Sequence, residues 1–398
     1  MNAIPYARQW LDKNDIEEVI RVLKCDWITQ GAKVKEFEEA LCKYTGAKYA
    51  VAVANGTAAL HIACYAARIG PGDEVITSPI TFVASANCVL YCGGKPVFAD
   101  IQKDTVNIDP QKIREEIGKK TRGIIPVHFS GHPCDLDEIH EIAKKHNLIV
   151  IEDAAHALGA EYKGSRIGSC QYSDMTIFSF HPVKLITTGE GGAVLTNRKD
   201  LYERLVLLRN HGITRDGDKF ISNAKDKTKM MDVKEQSFFG QWYYEMQELG
   251  FNYRLTDFQC ALGVSQMRNL DRFIKRRREI VCIYNDKMKN IKTIDLPSER
   301  KYVRSAWHLY TIKIKTSVKI NEKRKQSFDQ LRKRNIGVQV HYIPVYLQPH
   351  YASFLGYDKK CCPNAEDYYN RTITLPLYPR MKMSDIKYVV EAVKEVFS

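Results

Sequence analysis

The 398-residue sequence has no CxxC pair among its eleven cysteines, no secretory leader at its N-terminus and no long unbroken apolar run. Cysteines without paired spacing argue against a disulfide scaffold, and no His or Cys cluster completes a metal site around Cys361 and Cys362 or around Cys88 and Cys92. No metal is therefore expected. Cys25, Cys42, Cys64, Cys88 and Cys282 stand among apolar neighbours and read as small core residues in a reducing compartment. The most apolar long stretch, 50–67, is interrupted by Asn55, Gly56, Thr57 and His61, which removes it as a membrane span. The expected location is the cytoplasm. Internal repeats are lacking too, and the glycines of 189–192 are not the GxGxxG fingerprint of a nicotinamide site.

What is present is a chain of ordinary globular composition, 44% hydrophobic and 27% charged, long enough for two domains and a large core. The formal charge of +13 is spread along the chain, with one dense run from Lys275 to Arg278. Phe273, Ile274, Ile280, Val281 and Ile283 surround that run, so it reads as the solvated face of a helix. No nucleic-acid module accompanies the charge, and an anionic substrate explains part of it equally well.

A capped amphipathic helix is expected over 13–24 after Asp12, with apolar Ile16, Val19, Ile20 and Leu23, and helical spacing resumes over 34–44. From 49 onward short apolar runs alternate with helical stretches, ending in the run 148–151. That alternation predicts an α/β fold with a mostly parallel sheet covered on both faces, whose ligand lies beyond the strands' carboxyl ends. Residues 215–247 are polar and aperiodic and read as a long loop. Beyond it come a long basic helix and a region of antiparallel character, including 308–314 and 337–342, then a closing helix over 384–396. The expected division is a large domain over 1–265 and a smaller α+β domain over 266–398.

Chemistry is most legible in 176–196, where Lys184 sits beside Val183, Leu185 and Ile186, between strand-like runs and Gly-rich turns. A lysine in such a place loses hydration, its pKa falls, and a nucleophilic neutral amine becomes accessible. That is what a Schiff-base lysine needs, although an isolated lysine is more often a surface residue. Upstream, Gly56 and Thr57 follow a strand and open a helix, offering free N–H groups, a hydroxyl and the positive helix end to a phosphate. Asp153 follows the apolar run 148–151 and must be paired, solvated or a helix cap.

The series Ser179-Phe-His-Pro-Val-Lys184 followed by Thr187-Thr-Gly-Glu-Gly-Gly192, with Asn55-Gly-Thr-Ala-Ala-Leu60, Glu152-Asp-Ala-Ala-His-Ala157 and Gly250-Phe-Asn-Tyr-Arg-Leu-Thr-Asp257, resembles the DegT/DnrJ/EryC1/StrS family of sugar aminotransferases, a branch of fold-type I. The resemblance covers nearly the whole chain. It implies pyridoxal 5′-phosphate on Lys184, Asp153 at the pyridine nitrogen, His156 and Phe82 on the two ring faces, and Gly56, Thr57 and Ser179 at the phosphate. It also implies a homodimer in which Asn252 reaches the other subunit's phosphate, with Arg254 holding a carboxylate or pyrophosphate. For substrate it points to Tyr6, Asp26, Trp27, Ile28, Thr29, His341, Tyr342 and Pro344. Within the family, the likeness is greatest to enzymes of pseudaminic acid synthesis. The implied reaction aminates a UDP-linked 4-keto-6-deoxy N-acetyl hexose, with glutamate as donor, to a 4-amino-4,6-dideoxy-N-acetyl altrosamine. The alternatives are another nucleotide-linked 4-keto or 3-keto sugar, or a catalytically silent homologue on the same fold.

Overall fold

A computed structural model describes residues 3–221, 241–316, 318–356 and 360–397. After helices α1 (Lys13–Leu23) and α2 (Ala32–Thr45) the chain alternates through β1 (Tyr49–Val53), α3 (Gly56–Ala66), β2 (Glu74–Thr77), α4 (Ala84–Tyr91), β3 (Lys95–Phe98), α5 (Pro110–Glu116), β4 (Thr121–Ile125), α6 (Leu136–His146) and β5 (Ile149–Asp153). Strands β6 (Met175–Ser179) and β7 (Gly192–Thr196) and helix α7 (Lys199–Arg209) follow. These seven strands form one sheet in the order β1-β7-β6-β5-β4-β2-β3. All neighbours pair in parallel except β7, which runs against both β6 and β1. The reversal has a local cause: β7 follows β6 through the short Gly-rich connection 180–191 rather than a crossover helix. Lys184 lies in that connection.

Two apolar cores cover the sheet, one under α2, α6 and the start of a long helix, the other under α3, α4 and α7. The long helix, α8 (Asp257–Met288), leads to a three-stranded antiparallel sheet of β8 (Ile294–Asp295), β9 (Tyr310–Ile314) and β10 (Thr372–Leu375), packed with α9 (Ile320–Lys333) and α10 (Met383–Phe397). The expected boundary at 265/266 falls inside α8. Its residues Cys260 to Ile274 pack on the first core, whereas Ile280, Val281, Tyr284 and Met288 belong to the core of the second sheet. Ile4, from the other end of the chain, joins that second core as well.

Three expectations are corrected. The basic run of α8 is not wholly solvated: Arg277 is buried, and its Nη1 donates to the carbonyls of Trp307, His308 and Leu377 at 3.3, 3.1 and 2.8 Å. Lacking a facing carboxylate among those bonds, its pKa is pulled down to about 9 by burial. Position 277 faces inward because α8 passes between two packed layers, and a guanidinium can serve several carbonyls at once. Second, Cys25 and Cys282 are exposed, while Cys64 and Cys88 are buried and Cys42 lies between.

The capped helix expected over 13–24 forms as α1, and its apolar stripe points outward, with Ile16 54% and Leu23 57% exposed. The opposite face is seated on α8 by polar pairing, where Gln266 donates to Asp15 at 2.7 Å and Arg268 to Glu18 at 3.2 Å. Third, 337–342 is extended chain rather than a strand of the second sheet. Only Gln339 pairs with β10, exchanging hydrogen bonds with Thr374 at 3.2 and 2.8 Å before the chain turns toward the large sheet. The loop expected over 215–247 lies largely outside the described residues. Its ends are joined by a short pairing of Ile213–Thr214 with Glu245–Met246.

Candidate active site

A cavity of about 770 Å³ opens beyond the carboxyl ends of β1, β5 and β6. Strand β1 delivers Asn55 as the cap of α3, its side chain accepting the N–H of Ala58 at 2.8 Å. This leaves the first-turn N–H groups of Gly56 and Thr57 among the unpaired donors of a helix start. The corner is tight enough to require glycine twice. A Cβ on Gly56 would stand 2.9 Å from the Ser179 Cβ, and one on Gly192 would stand 2.4 Å from the Asn55 carbonyl oxygen. Thr57 and Ser179 thus face one cavity from the ends of β1 and β6, the two strands that flank β7.

Lys184 lines the same cavity. Burial lowers its pKa from 10.5 to about 8, with nearby Asp153 opposing part of that fall. The sign matters: the neutral fraction rises with pH, reaching half near 8, so a reactive amine is present at neutral pH without extremes.

Asp153, the last residue of β5, is held on both oxygens. Ser85 Oγ donates to Oδ2 at 2.6 Å and the Ala155 N–H to Oδ1 at 3.1 Å. Behind it, buried Glu152 accepts from His128 at 2.7 Å, from Ser173, and from Thr176 at 3.2 Å. The Cys134 N–H donates to His128 Nδ1 at 3.1 Å, so the proton sits on Nε2 and is given to Glu152. Adjacent residues of one strand therefore point a braced carboxylate to each side of the sheet.

Three buried imidazoles gather here. His156 lies 4.3 Å ring to ring from His308, and Tyr342 Oη approaches His156 Nε2 at 3.4 Å. His341 contacts Thr374 at 2.9 Å and packs on the Tyr6 ring at 5.6 Å. Burial first, then the nearby Lys184 charge, drives His341 down to about 4. His156 falls well below its ordinary value through burial, then Lys184 and His341. His308 falls likewise through burial, then through His156 and Lys184. With their pKa values lowered, all three imidazoles are uncharged at pH 7. Among the described residues, the Nδ1 atoms of His156 and His308 have no hydrogen-bond partner.

Of the residues singled out from sequence, Tyr6, Gly56, Thr57, Phe82, Asp153, His156, Ser179, Lys184, His341 and Tyr342 come together at this cavity. The others do not line it within one chain. Asp26, Trp27, Ile28 and Thr29 are exposed, tied to the start of α8 where Thr29 bridges Thr256 and the Asp257 N–H bonds to the Ile28 carbonyl at 3.0 Å. Asn252 is exposed and bridges Asn210, to whose side chain Arg254 donates at 2.6 Å. Pro344 is buried and leads into a turn whose Val345 N–H bonds to Pro79 at 3.0 Å. Missed from sequence were Ser85, Thr81 and His308, and the pair His61 and Tyr253 at the cavity wall, 3.1 Å apart.

The profile of the DegT/DnrJ/EryC1/StrS aminotransferase family matches residues 9–394. The chain belongs to that family. Like its relatives, this aminotransferase uses pyridoxal phosphate. It is 39% identical, over 97% of its length and 95% of the relative's, to the UDP-4-amino-4,6-dideoxy-N-acetyl-beta-L-altrosamine transaminase of Campylobacter jejuni. Among solved structures, PseC of Helicobacter pylori, an aminotransferase of pseudoaminic acid biosynthesis, superposes with a TM-score of 0.88 at 32% identity, covering 100% of this chain and 99% of that one. A Streptococcus pneumoniae protein assigned as a sugar aminotransferase, in its PLP form, superposes with a TM-score of 0.88 at 29% identity, covering 100% of both chains. The donor set of the aminotransferase's cavity fits that cofactor. It offers an amine of lowered pKa for an aldehyde, a braced carboxylate for a protonated ring nitrogen, and a helix start with two hydroxyls for a phosphate. Phe82, 59% exposed at the cavity, is an aromatic face free to be covered.

Proposed function

We propose that this aminotransferase moves an amino group, with glutamate as donor, to C4 of a UDP-linked 4-keto-6-deoxy N-acetyl hexose. The product is then UDP-4-amino-4,6-dideoxy-N-acetyl-beta-L-altrosamine. The observation that carries this reading is the 39% identity, over nearly the whole chain, to the Campylobacter jejuni enzyme of that name. Pyridoxal phosphate, when bound, supplies the carbonyl that takes up the amino group and the electron sink that makes the neighbouring C–H acidic.

The protein's part is to bind, orient and move protons. Lys184 would hold the cofactor at its amine and, once displaced, carry a proton between the cofactor carbon and the sugar carbon; its pKa of about 8 suits both directions. Asp153 would accept the ring N–H, since an acceptor-only carboxylate braced by two donors can hold a protonated nitrogen. Phe82 and His156 would cover the two ring faces, His156 uncharged. Gly56, Thr57 and Ser179 would hold the phosphate.

Tyr6, His341 and Tyr342 share that cavity and would take the sugar. Asp26, Trp27, Ile28, Thr29, Asn252, Arg254 and Pro344 would act at its outer part, several of them across a homodimer. Trp27 is 69% exposed in one chain, and large aromatic surface of that kind suits burial against another protein or a base. Eleven cysteines, none disulfide-bonded among the described residues, fit work in the cytoplasm.

A pocket of paired buried polar groups rejects a substrate lacking one partner by on the order of a hundredfold or more. With glutamate as donor, the 2-acetamido 4-keto sugar of L-arabino configuration should therefore exceed its D-xylo epimer and a UDP-4-keto-pentose in kcat/KM by at least about that factor. A clear win for the pentose or the D-xylo sugar contradicts the altrosamine reading.

A further inference from the structure

Ser85 is fully buried at the start of α4, and Thr81 one turn earlier is nearly so. The Ser85 hydroxyl lies 2.6 Å from Asp153 Oδ2 and 2.7 Å from the Thr81 hydroxyl. Each hydroxyl has one proton, and an ionised carboxylate can only accept. The direction of the chain is thereby fixed: Thr81 donates to Ser85, and Ser85 donates to Asp153. Each bond polarises the next, so the second hydroxyl strengthens the first one's donation. The remaining Asp153 oxygen accepts the Ala155 N–H at 3.1 Å. Thr81 and Asp153 line the cavity; Ser85 stands behind them.

We propose that Ser85, backed by Thr81, is a positioning residue that aims the Asp153 carboxylate at the cofactor ring and keeps it an acceptor. The proposal rests on the reading that Asp153 holds the ring nitrogen. Without the Ser85 hydroxyl, one carboxylate oxygen loses its fixed donor and the group can turn about its side-chain bonds. A hydrogen bond to a charged group is worth enough that its loss weakens the function it serves by about 10- to 100-fold.

The test uses the full-length holoenzyme and its cofactor-free form. Ser85→Ala should lower kcat by about 10- to 100-fold with the nucleotide-sugar KM unchanged, and should weaken pyridoxal phosphate binding to the cofactor-free protein, read by tryptophan fluorescence, by severalfold. Ser85→Thr, which keeps the hydroxyl, should restore both. Thr81→Val should show the same pattern at about threefold, and serves should Ser85→Ala not fold. The deciding comparison is made in Asp153→Asn: a residue acting through Asp153 has nothing further to lose there, so Ser85→Ala should add less than about twofold. Equal losses in both backgrounds, or no loss in the wild type, overturn the proposal while leaving the role of Asp153 standing. Near-normal activity in Asp153→Asn alone overturns that role and this proposal with it.

Discussion

Lys184→Ala should abolish transamination, by roughly 10⁴-fold or more, in a protein that still folds and melts cooperatively. The amine is asked to do two things, to anchor the cofactor and to shuttle a proton, and alanine does neither. Stability should not suffer in proportion. Lys184 lines an open cavity rather than a packed core, and burial already works against its charge, so truncation removes a desolvated cation instead of leaving a void among apolar neighbours. The check is turnover with glutamate and the keto sugar beside a thermal melt. Measurable turnover in the pure variant contradicts the assignment, whereas loss of folding would mean the lysine is structural.

Restored activity on mixing two dead variants is the second expected result. Within one chain Asn252 is exposed and outside the cavity, held by the bridge between Asn210 and Asn252, although the next residue, Tyr253, lines it. If Asn252 serves the phosphate of the other subunit, Lys184→Ala and Asn252→Ala subunits complement each other. Random pairing of equal amounts makes half the dimers mixed, each with one intact site, so activity should approach about a quarter of the wild type. Activity no higher than that of the Asn252→Ala homodimer would show that the sites are not shared.

Local pattern made much of this enzyme legible. Strand and helix alternation placed the sheet, the apolar setting of Lys184 pointed to a lowered pKa, and Gly56 and Thr57 stood at a helix start. What stayed hidden depends on contacts distant in sequence. Ser85 meets Asp153 across 68 positions, and nothing near Ser85 marks it as other than a small helix residue. His308 acquires its place by packing its ring at a tilt against His156 from beyond α8. Arg277 looked solvated because its neighbours in sequence are charged, yet three carbonyls from distant segments enclose it. Periodicity gave α1 but not its direction, since Asp15 and Glu18 pair inward with α8 while Ile16 and Leu23 face out. Asp26 to Thr29 show the remaining limit: their exposure in one chain gives no cavity contact to read.

The most direct measurement is chemical trapping. Borohydride fixes an imine between a lysine and a carbonyl cofactor as a stable amine, and digestion with mass spectrometry then locates it. The holoenzyme should carry the pyridoxyl mass on the peptide containing Lys184 and nowhere else among its lysines, with the label absent from Lys184→Ala. A label on any other lysine, or none on a protein that binds the cofactor, would contradict the role given to Lys184.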